Sequence, residues 1–218
     1  MGKMIRVQFI TNHERLAEYK GKMSWTSPIE VHGDIMLVHN GAPFLDELAT
    51  LAEQHHDKLA ECQVVGADGE AYTDKTQRSS RRVTLTDNAA LPDPFKLYPV
   101  MLRSIEGSFA YNYMEIVNPH AKVDRACGYD LLRYGPGDRF GVHVDAVRDH
   151  PVLAHRRLAV VAFCNKVEEG GELHFPRQDL TIRPEPGLFV LFPAGLTHPH
   201  ESKAVVRGVK YSVVTWFF

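Results

Sequence analysis

The sequence lacks long apolar runs, contains few cysteines and carries almost no net charge. None of its apolar stretches approaches the roughly 18–20 residues that a membrane-spanning helix needs, and the apolar run near the N-terminus is too short for a signal sequence. The three cysteines, Cys62, Cys127 and Cys164, have no disulfide-framework spacing and indicate a reducing compartment. A net charge of −2 provides no basic field for nucleic acid or an anionic membrane. We therefore expect a cytoplasmic protein that binds neither nucleic acid nor membrane.

Neither an internal repeat nor a low-complexity linker divides the chain, and its 218 residues suffice for one domain with a sizeable core. We predict a single domain over residues 1–218. Helical support is expected at about 42–121, and a catalytic β core at about 129–218. The arginine pairs Arg81-Arg82 and Arg156-Arg157 are interpreted as solvated surface.

The first half contains two segments with helical spacing. Apolar residues recur through PFLDELATLAEQHHDKLAEC (43–62), which predicts one amphipathic helix. LPDPFKLYPVMLRSIEGSFAYNYMEI (91–116) predicts a second, with Asp93 before Pro94 as its N-terminal signal and Pro99 able to delay its start. The polar segment GADGEAYTDKTQRSSRR (66–82) is a predicted loop, and MIRVQFI and DIMLV, near the N-terminus, are predicted short strands.

From residue 129 onward the sequence changes to short runs rich in β-branched and aromatic residues, separated by turns such as PGD, EEGG and PEPG. The runs are YDLLRYG, FGVHVDAV, RLAVVAFC, GELHFP, LTIRPEPGLFVLFP and KYSVVTWFF. The second half therefore predicts a β-sandwich or barrel, and the whole fold is expected to be mainly β with flanking helices packed on that core.

Within the β half, His143 and Asp145 lie two residues apart on a predicted strand. Side chains two apart on a strand point to the same face, so the imidazole and the carboxylate should emerge together while Val142 and Val144 face the other way. With one more histidine they would form a 2-His-1-carboxylate set, which binds iron(II) and leaves coordination positions open. On its own, the His-x-Asp pair is more often found on an ordinary surface strand.

A lone lysine interrupts the last β run. Lys210 and Ser212 share one face of the predicted strand, and Tyr211 and Val213 the other. If that face points inward, Lys210 needs an anion, which a carboxylate of a ligand would supply, with Ser212 donating a second hydrogen bond to it. If it points outward, Lys210 is an edge-strand residue that blocks aggregation.

Three segments in this order resemble the iron(II)- and 2-oxoglutarate-dependent dioxygenases of the prolyl 4-hydroxylase and lysyl hydroxylase branch. They are LLRYGPGDRFGVHVDA, NKVEEGGELHFP and PGLFVLFPAGLTHPHESKAVVRGVKYSVVTWF. Upstream, TDKTQRSS resembles the family's Arg-x-Ser loop. The resemblance implies a double-stranded β-helix (a jelly roll of the cupin type) in the C-terminal half, with helices of the N-terminal half packed on it.

The resemblance also implies the ligands of the metal. His143 and Asp145 match the family's His-x-Asp ligands, and the third ligand is either His198 or His200. Members of the branch place a basic residue ten positions after this ligand in a Gly-x-Lys or Gly-x-Arg context, and counting back from Lys210 gives His200. A count from the preceding Phe-Pro pair favours His198 instead. We give the lysine spacing more weight and expect His200 to bind the metal.

The remaining site residues are implied in the same way. Tyr134 matches a tyrosine that contacts 2-oxoglutarate, Lys210 matches the basic partner of that co-substrate, and Arg78 matches a loop arginine on the substrate or oxygen side. The cofactors implied are iron(II), 2-oxoglutarate and dioxygen, with ascorbate as a candidate reductant. The reaction implied is hydroxylation coupled to conversion of 2-oxoglutarate to succinate and carbon dioxide.

The substrate expected first is a peptidyl or protein proline. The LTHPHE run resembles lysyl hydroxylases, so peptidyl lysine is the close alternative, followed by a small molecule. Two hypotheses from other functional classes stay open. One is a non-catalytic jelly-roll metal-binding module, and the other is a cupin-like hydrolase or isomerase, which would not need Lys210. The sequence indicates no oligomeric state.

Overall fold

The computed structural model of the chain describes residues 3–6, 27–39, 42, 44–66, 69–85, 95, 98–124 and 126–218. Two α-helices lie in this part of the chain, α1 over Leu45–Gln54 and α2 over Tyr98–Ile116. The strands β1 to β17 are, in order, Lys3–Arg6, Pro28–His32, Ile35–Val38, Ala60–Glu61, Val64–Val65, Ala71–Tyr72, Arg81–Thr84, Asp130–Tyr134, Phe140–His143, Leu158–Phe163, Glu169–Gly170, Leu173–Phe175, Leu180–Ile182, Phe189–Pro193, His200–Ser202, Val205–Arg207 and Lys210–Phe217.

The described strands form a large and a small antiparallel sheet, accompanied by two short two-stranded sheets. The large sheet has the order β1-β2-β3-β14-β10-β17-β8-β7-β4, and the small sheet the order β13-β12-β15-β9. The short pairs are β11 with β16 and β5 with β6. Strands that are distant in the chain become neighbours in both sheets, as expected for a double-stranded β-helix and unlike a simple meander.

The core lies on both faces of the large sheet. Its outer face packs against α1 and α2 through one apolar cluster that includes Leu48, Phe109 and Val213. Its inner face packs against the small sheet through a second cluster that includes Phe163 and Phe175. Both faces of the central strands are therefore covered, which explains why β14 consists of consecutive apolar residues.

The first predicted helix is too long. Helix α1 ends at Gln54, a 3-10 turn follows at His56–Lys58, and Ala60–Glu61 already belongs to a strand. The prediction failed because six polar residues separate Ala52 from Leu59, so no apolar stripe continues past the second turn.

The start predicted for the second helix, at Asp93 and Pro94, lies outside the described residues. Helix α2 is described from Tyr98, with Pro99 in its first turn, where the missing backbone N–H costs nothing. The predicted loop at 66–82 is only partly a loop, because it contains β6 and the start of β7.

Most β runs of the second half form strands as predicted, but β11, β15 and β16 were not foreseen. These are short segments without apolar alternation, and each is held in place by its neighbour in a sheet. Among the described residues, no helix is both long and apolar enough to cross a membrane. Cys62, Cys127 and Cys164 are all free thiols.

Candidate active site

Two histidines face each other across the small sheet. His143 ends β9 and His200 begins β15, and the two are direct partners in the antiparallel register. Their ring centroids are 4.3 Å apart. Adjacent antiparallel strands bring opposite side chains to within about 5 Å, so the pairing of β9 with β15 joins ligands that lie 57 positions apart in the sequence.

The third residue of the site is Asp145, which lies just beyond the end of β9. Its backbone N–H donates to the Ala194 carbonyl at 3.1 Å, and this bond ties the turn to the segment after β14. The carboxylate oxygens lie 3.6 Å from Nε2 of His143 and 3.7 Å from Nε2 of His200. The prediction that Val144 faces away is wrong, because the strand alternation stops at His143 and Val144 also lines the cavity.

Hydrogen bonds to the backbone orient both imidazoles. Nδ1 of His143 lies 2.8 Å from the carbonyl oxygen of Gly141, and Nδ1 of His200 lies 3.1 Å from that of His198. A carbonyl oxygen only accepts, so each Nδ1 donates its N–H to that oxygen and Nε2 is directed to the centre of the site. Such carbonyl partners fix the tautomer of metal-binding histidines.

The protonation states also suit a metal. Burial would raise the pKa of Asp145, but the neighbouring His200 and His143 hold it well below its usual range. Burial lowers the pKa of His200 to about 4, against the opposing pull of Asp145. At neutral pH the site therefore holds an ionised carboxylate beside a neutral imidazole, and these are the states in which both residues bind metal.

His143, Asp145 and His200 each offer one ligand atom, and these atoms lie within 4.8 Å of one another. Two imidazoles and one carboxylate form the donor set that iron(II) accepts with coordination positions left open. A structural zinc site would close its shell with four protein ligands. The residues present therefore fit iron(II), and they form a possible iron-binding triad.

His198 does not share the face of His200, although the sequence left that arrangement open. Its Nδ1 lies 2.9 Å from the Thr197 hydroxyl, and its buried ring packs edge-on to Phe175. The alternation of a strand does not apply to this pair, since β15 begins only at His200 and the His198 N–H closes a turn onto Gly195. Its backbone carbonyl, which orients His200, is the contact His198 makes with the triad.

Lys210 points inward. Only 2% of the residue is exposed, and it lines the same cavity as the triad. Its Nζ donates to the carbonyl of Gly171 at 2.9 Å and to the hydroxyl of Ser202, and it lies 4.2 Å from the centre of the Tyr134 ring. Burial lowers the pKa of Lys210 to about 7, with Glu172 acting in the opposite direction. A buried ammonium with uncharged partners is suited to binding an anion.

Tyr134 and Ser212 also lie where the sequence placed them. Tyr134 is the direct partner of Lys210 across β8 and β17, and burial raises the pKa of its phenol. Ser212 follows Lys210 on the same face of β17 and lines the cavity, whereas Tyr211 and Val213 face the helices. The structure thus brings both residues to the Lys210 end of the site.

Arg78 lies on the opposite edge of β9 from His200. Its guanidinium lies 4.3 Å from the centre of the Phe140 ring, and that ring stacks on the His143 imidazole with a centroid distance of 3.5 Å. Nε of Arg78 donates to the Ser80 hydroxyl at 3.0 Å. Arg78 lines the cavity, and through Phe140 it supports the position of His143.

Trp216 and Arg156 are among the site residues that were missed from the sequence. Trp216 lines the cavity, and Arg156 lies over its indole with Cζ 3.4 Å from the ring centroid. Arg156 also donates to the Asp145 carbonyl at 3.3 Å, while its buried Nε has no hydrogen-bond partner within the part of the chain that the structure describes. The interpretation of Arg156 as solvated surface is therefore wrong, although Arg157 is exposed.

Only one of the two could have been found. The alternation that selected Lys210 and Ser212 continues to Trp216 on the same face of β17. Arg156 precedes β10 and follows a 3-10 turn, so no strand or helix periodicity assigns it to the cavity.

The three metal ligands share one cavity of about 410 Å³ with the other residues assigned to the site, which are Arg78, Tyr134, Arg156, Lys210, Ser212 and Trp216. Aromatic rings surround the metal ligands, with the Phe192 ring 4.7 Å and the Phe175 ring 5.7 Å from that of His200. Lys210 and Trp216 lie six residues apart on β17, which corresponds to about 20 Å along a strand. Lys210 and Arg156, which lies over Trp216, therefore reach the cavity from opposite ends of β17, and Arg156 lies beside the triad at Asp145.

Comparison with known proteins gives concordant results. Residues 129–218 match the model of the 2OG-Fe(II) oxygenase superfamily. Prolyl 4-hydroxylase 13 of Arabidopsis thaliana is 28% identical over 113 residues, which cover 40% of this chain and 41% of the plant protein. The chain thus matches less than half the length of that relative.

Two solved structures share the fold. A prolyl-4-hydroxylase from Pseudomonas putida superposes with a TM-score of 0.62 and 18% identity, covering 86% of this chain and 92% of the other. A prolyl hydroxylase from Trichoplax adhaerens, in complex with a peptide fragment of the hypoxia inducible factor oxygen degradation domain, gives a TM-score of 0.68 and 14% identity, covering 85% and 84%. Residues 129–218, which contain the triad, Lys210 and Trp216, therefore resemble the 2OG-Fe(II) oxygenase superfamily, and the chain shares its fold with these two solved structures.

Proposed function

We propose that the protein is an iron(II)- and 2-oxoglutarate-dependent hydroxylase that acts on a prolyl residue of a peptide or protein. The observation that carries the proposal is the joint presence, in one cavity, of an open 2-His-1-carboxylate triad and a buried lysine whose contacts are uncharged. A metal-binding module without catalysis, or a cupin-like hydrolase, would not need the buried ammonium.

Each end of the cavity has a distinct part in this function. His143, Asp145 and His200 would hold iron(II), and the Lys210 ammonium would bind the distal carboxylate of 2-oxoglutarate. Bound iron(II) supplies the oxidative decarboxylation of 2-oxoglutarate by dioxygen to succinate and carbon dioxide, which is coupled to hydroxylation of the substrate. The aromatic side chains around the triad exclude water, so that the electrostatic contacts inside are strengthened.

The substrate end is defined by Arg156 and Trp216. The Arg156 guanidinium lies over the indole with Cζ 3.4 Å from the ring centroid, and its buried Nε has no hydrogen-bond partner among the described residues. A peptide carbonyl would satisfy it, and the apolar ring of a proline would pack on the indole. The similar proteins described above are all prolyl hydroxylases, which supports proline over lysine.

The test is to incubate purified protein with iron(II), 2-oxoglutarate, dioxygen and a panel of proline-containing peptides, with matched peptides in which lysine replaces proline. We expect succinate in stoichiometric amounts with a 16 Da increase in peptide mass. Ascorbate, proposed as a reductant, should prolong turnover rather than start it. Arg156→Ala should raise the peptide KM, while the Arg157→Ala control, which changes an exposed neighbour, should not.

Hydroxylation of the lysine peptides alone would overturn the proline assignment but keep the reaction class. Failure to consume 2-oxoglutarate with any peptide, by protein shown to bind iron(II), would contradict the enzyme proposal. A cytoplasmic location is proposed from the free thiols and would be tested by fractionation of the source cells.

A further inference from the structure

The hydrogen bonds of Lys210 leave part of its binding capacity unused. An ammonium has three N–H donors, and two are directed at the Gly171 carbonyl and the Ser202 hydroxyl. Among the residues that the structure describes, no carboxylate makes a salt bridge with Lys210, although the charge of Glu172 influences its pKa. One donor and the full charge are therefore left for a ligand in the cavity.

The two protein partners of Lys210 are held rigidly. Gly171 has a φ of +74°, and its N–H donates to the Ala204 carbonyl at 3.0 Å. A Cβ at position 171 would lie 3.2 Å from a Val205 methyl carbon, and the positive φ is one that other residues rarely adopt, so glycine is favoured at this position. The Gly171 carbonyl thus fixes Nζ from one side and Ser202 fixes it from another.

Ser202 is placed by the same strand as the third metal ligand. β15 carries both His200 and Ser202, and both line the cavity. Ser202 is buried and pairs with Leu173 on β12 and with Phe140 on β9. One strand in the middle of a sheet therefore sets the metal end and the ammonium end of the cavity relative to each other.

The Ser202 hydroxyl can make a second hydrogen bond besides the one that it accepts from Lys210. A serine hydroxyl has two acceptor lone pairs and one O–H donor. Its oxygen accepts from Lys210, so the O–H proton is available to an acceptor in the cavity. A carboxylate bound by the third Lys210 donor would be such an acceptor, because it offers lone pairs to both groups.

We infer that Ser202 is a direct ligand of the distal carboxylate of 2-oxoglutarate, accepting a hydrogen bond from Lys210 and donating one to the carboxylate. The inference rests on the proposed function and assigns to Ser202 a role that was predicted for Ser212. Ser212 is about 7 Å from Lys210 along β17, whereas the long side chain of Lys210 carries its Nζ to Ser202 on β15. Ser202 is thus a co-substrate residue of the small sheet, opposite Lys210 of the large one.

The experiment measures binding rather than turnover. Iron(II)-loaded wild-type protein, Ser202→Ala and Ser212→Ala are titrated anaerobically by calorimetry with 2-oxoglutarate and, separately, with oxalate. Oxalate offers two adjacent oxygen donors to the metal but has no distal carboxylate. Ser202→Ala should weaken 2-oxoglutarate binding about 10-fold to 100-fold, the range for one hydrogen bond to a charged group, and leave the oxalate affinity unchanged. Ser212→Ala, the matched control, should cause a smaller loss.

Each contrary result has a separate meaning. If the wild type binds 2-oxoglutarate and Ser202→Ala binds it equally well, the inference is wrong and the proposed function stands. A larger loss in Ser212→Ala than in Ser202→Ala would return the role to Ser212. Loss of oxalate binding in Ser202→Ala would show that the residue supports the metal end instead. A wild type that binds oxalate but not 2-oxoglutarate would overturn the proposed function, and this inference with it.

Discussion

Replacing Lys210 by alanine removes the charge that we expect to anchor the co-substrate. The residue is buried, and both of its hydrogen-bond partners are uncharged, so nothing else in contact with it would neutralise a bound carboxylate. Truncating one partner of a desolvated, hydrogen-bonded charge pair costs about 2–5 kcal/mol. Since each 1.4 kcal/mol corresponds to a factor of ten, the dissociation constant of 2-oxoglutarate should rise roughly 30-fold to 4,000-fold.

The assay is anaerobic titration of the iron(II)-loaded variant with 2-oxoglutarate, together with a titration of the apoprotein with iron(II). Iron affinity should stay close to that of the wild type, because Lys210 is not a ligand. Lys210→Met is the matched control for volume: it should lose 2-oxoglutarate binding equally and have a higher melting temperature than the wild type. Replacing a buried charge that lacks an ionic partner by an apolar side chain of similar size is stabilising.

A Lys210→Ala variant that binds 2-oxoglutarate as tightly as the wild type would refute the role of Lys210 as the anchor of the co-substrate. Equal loss of iron and of 2-oxoglutarate would also contradict it, because the change would then have disturbed the triad itself. A Lys210→Met variant with a lower melting temperature would show that the ammonium is compensated within the folded protein.

Three further predictions follow from the same structure. His200→Ala should abolish iron-dependent turnover while His198→Ala weakens activity about 10–100-fold, and iron titration of both variants checks the order. The pKa of Lys210, lowered to about 7, predicts that 2-oxoglutarate affinity falls as pH rises above 7, whereas oxalate affinity measured in parallel should not show this fall. Burial raises the pKa of Glu106 well above its usual value, with the nearby Tyr129 phenol acting in the opposite direction, so stability contributed by the neutral acid is lost as pH rises through that pKa. Glu106→Gln should flatten the dependence of melting temperature on pH, and an unchanged profile would contradict the assignment.

Strands with strong hydrophobic periodicity could be predicted from the sequence. Strands that depend on pairing with their neighbours in a sheet could not. The β runs with alternating or continuous apolar residues became β8, β10, β14 and β17, because their side chains must be buried on one or both faces. β15 contains only His200, Glu201 and Ser202, and nothing in its composition favours a strand. β15 is a strand because it pairs with β12 on one side and with β9 on the other. This pairing depends on the whole sheet and not on the local sequence.

The site shows the same division. His143, Asp145 and Lys210 could be assigned because spacing on one strand, or resemblance, applies to each residue separately. The choice of His200 over His198 depended on where β15 begins, which the LTHPHE run does not reveal. Partners that meet only in space, such as Ser202 at Lys210, have no sequence signal.

The central claim is that one cavity holds iron(II) and 2-oxoglutarate together. The most direct measurement is the visible absorption spectrum of anaerobic protein to which iron(II) and then 2-oxoglutarate are added. We predict a weak metal-to-ligand band that appears only with both components and is absent in His200→Ala. Iron binding without this band at saturating 2-oxoglutarate would contradict the claim.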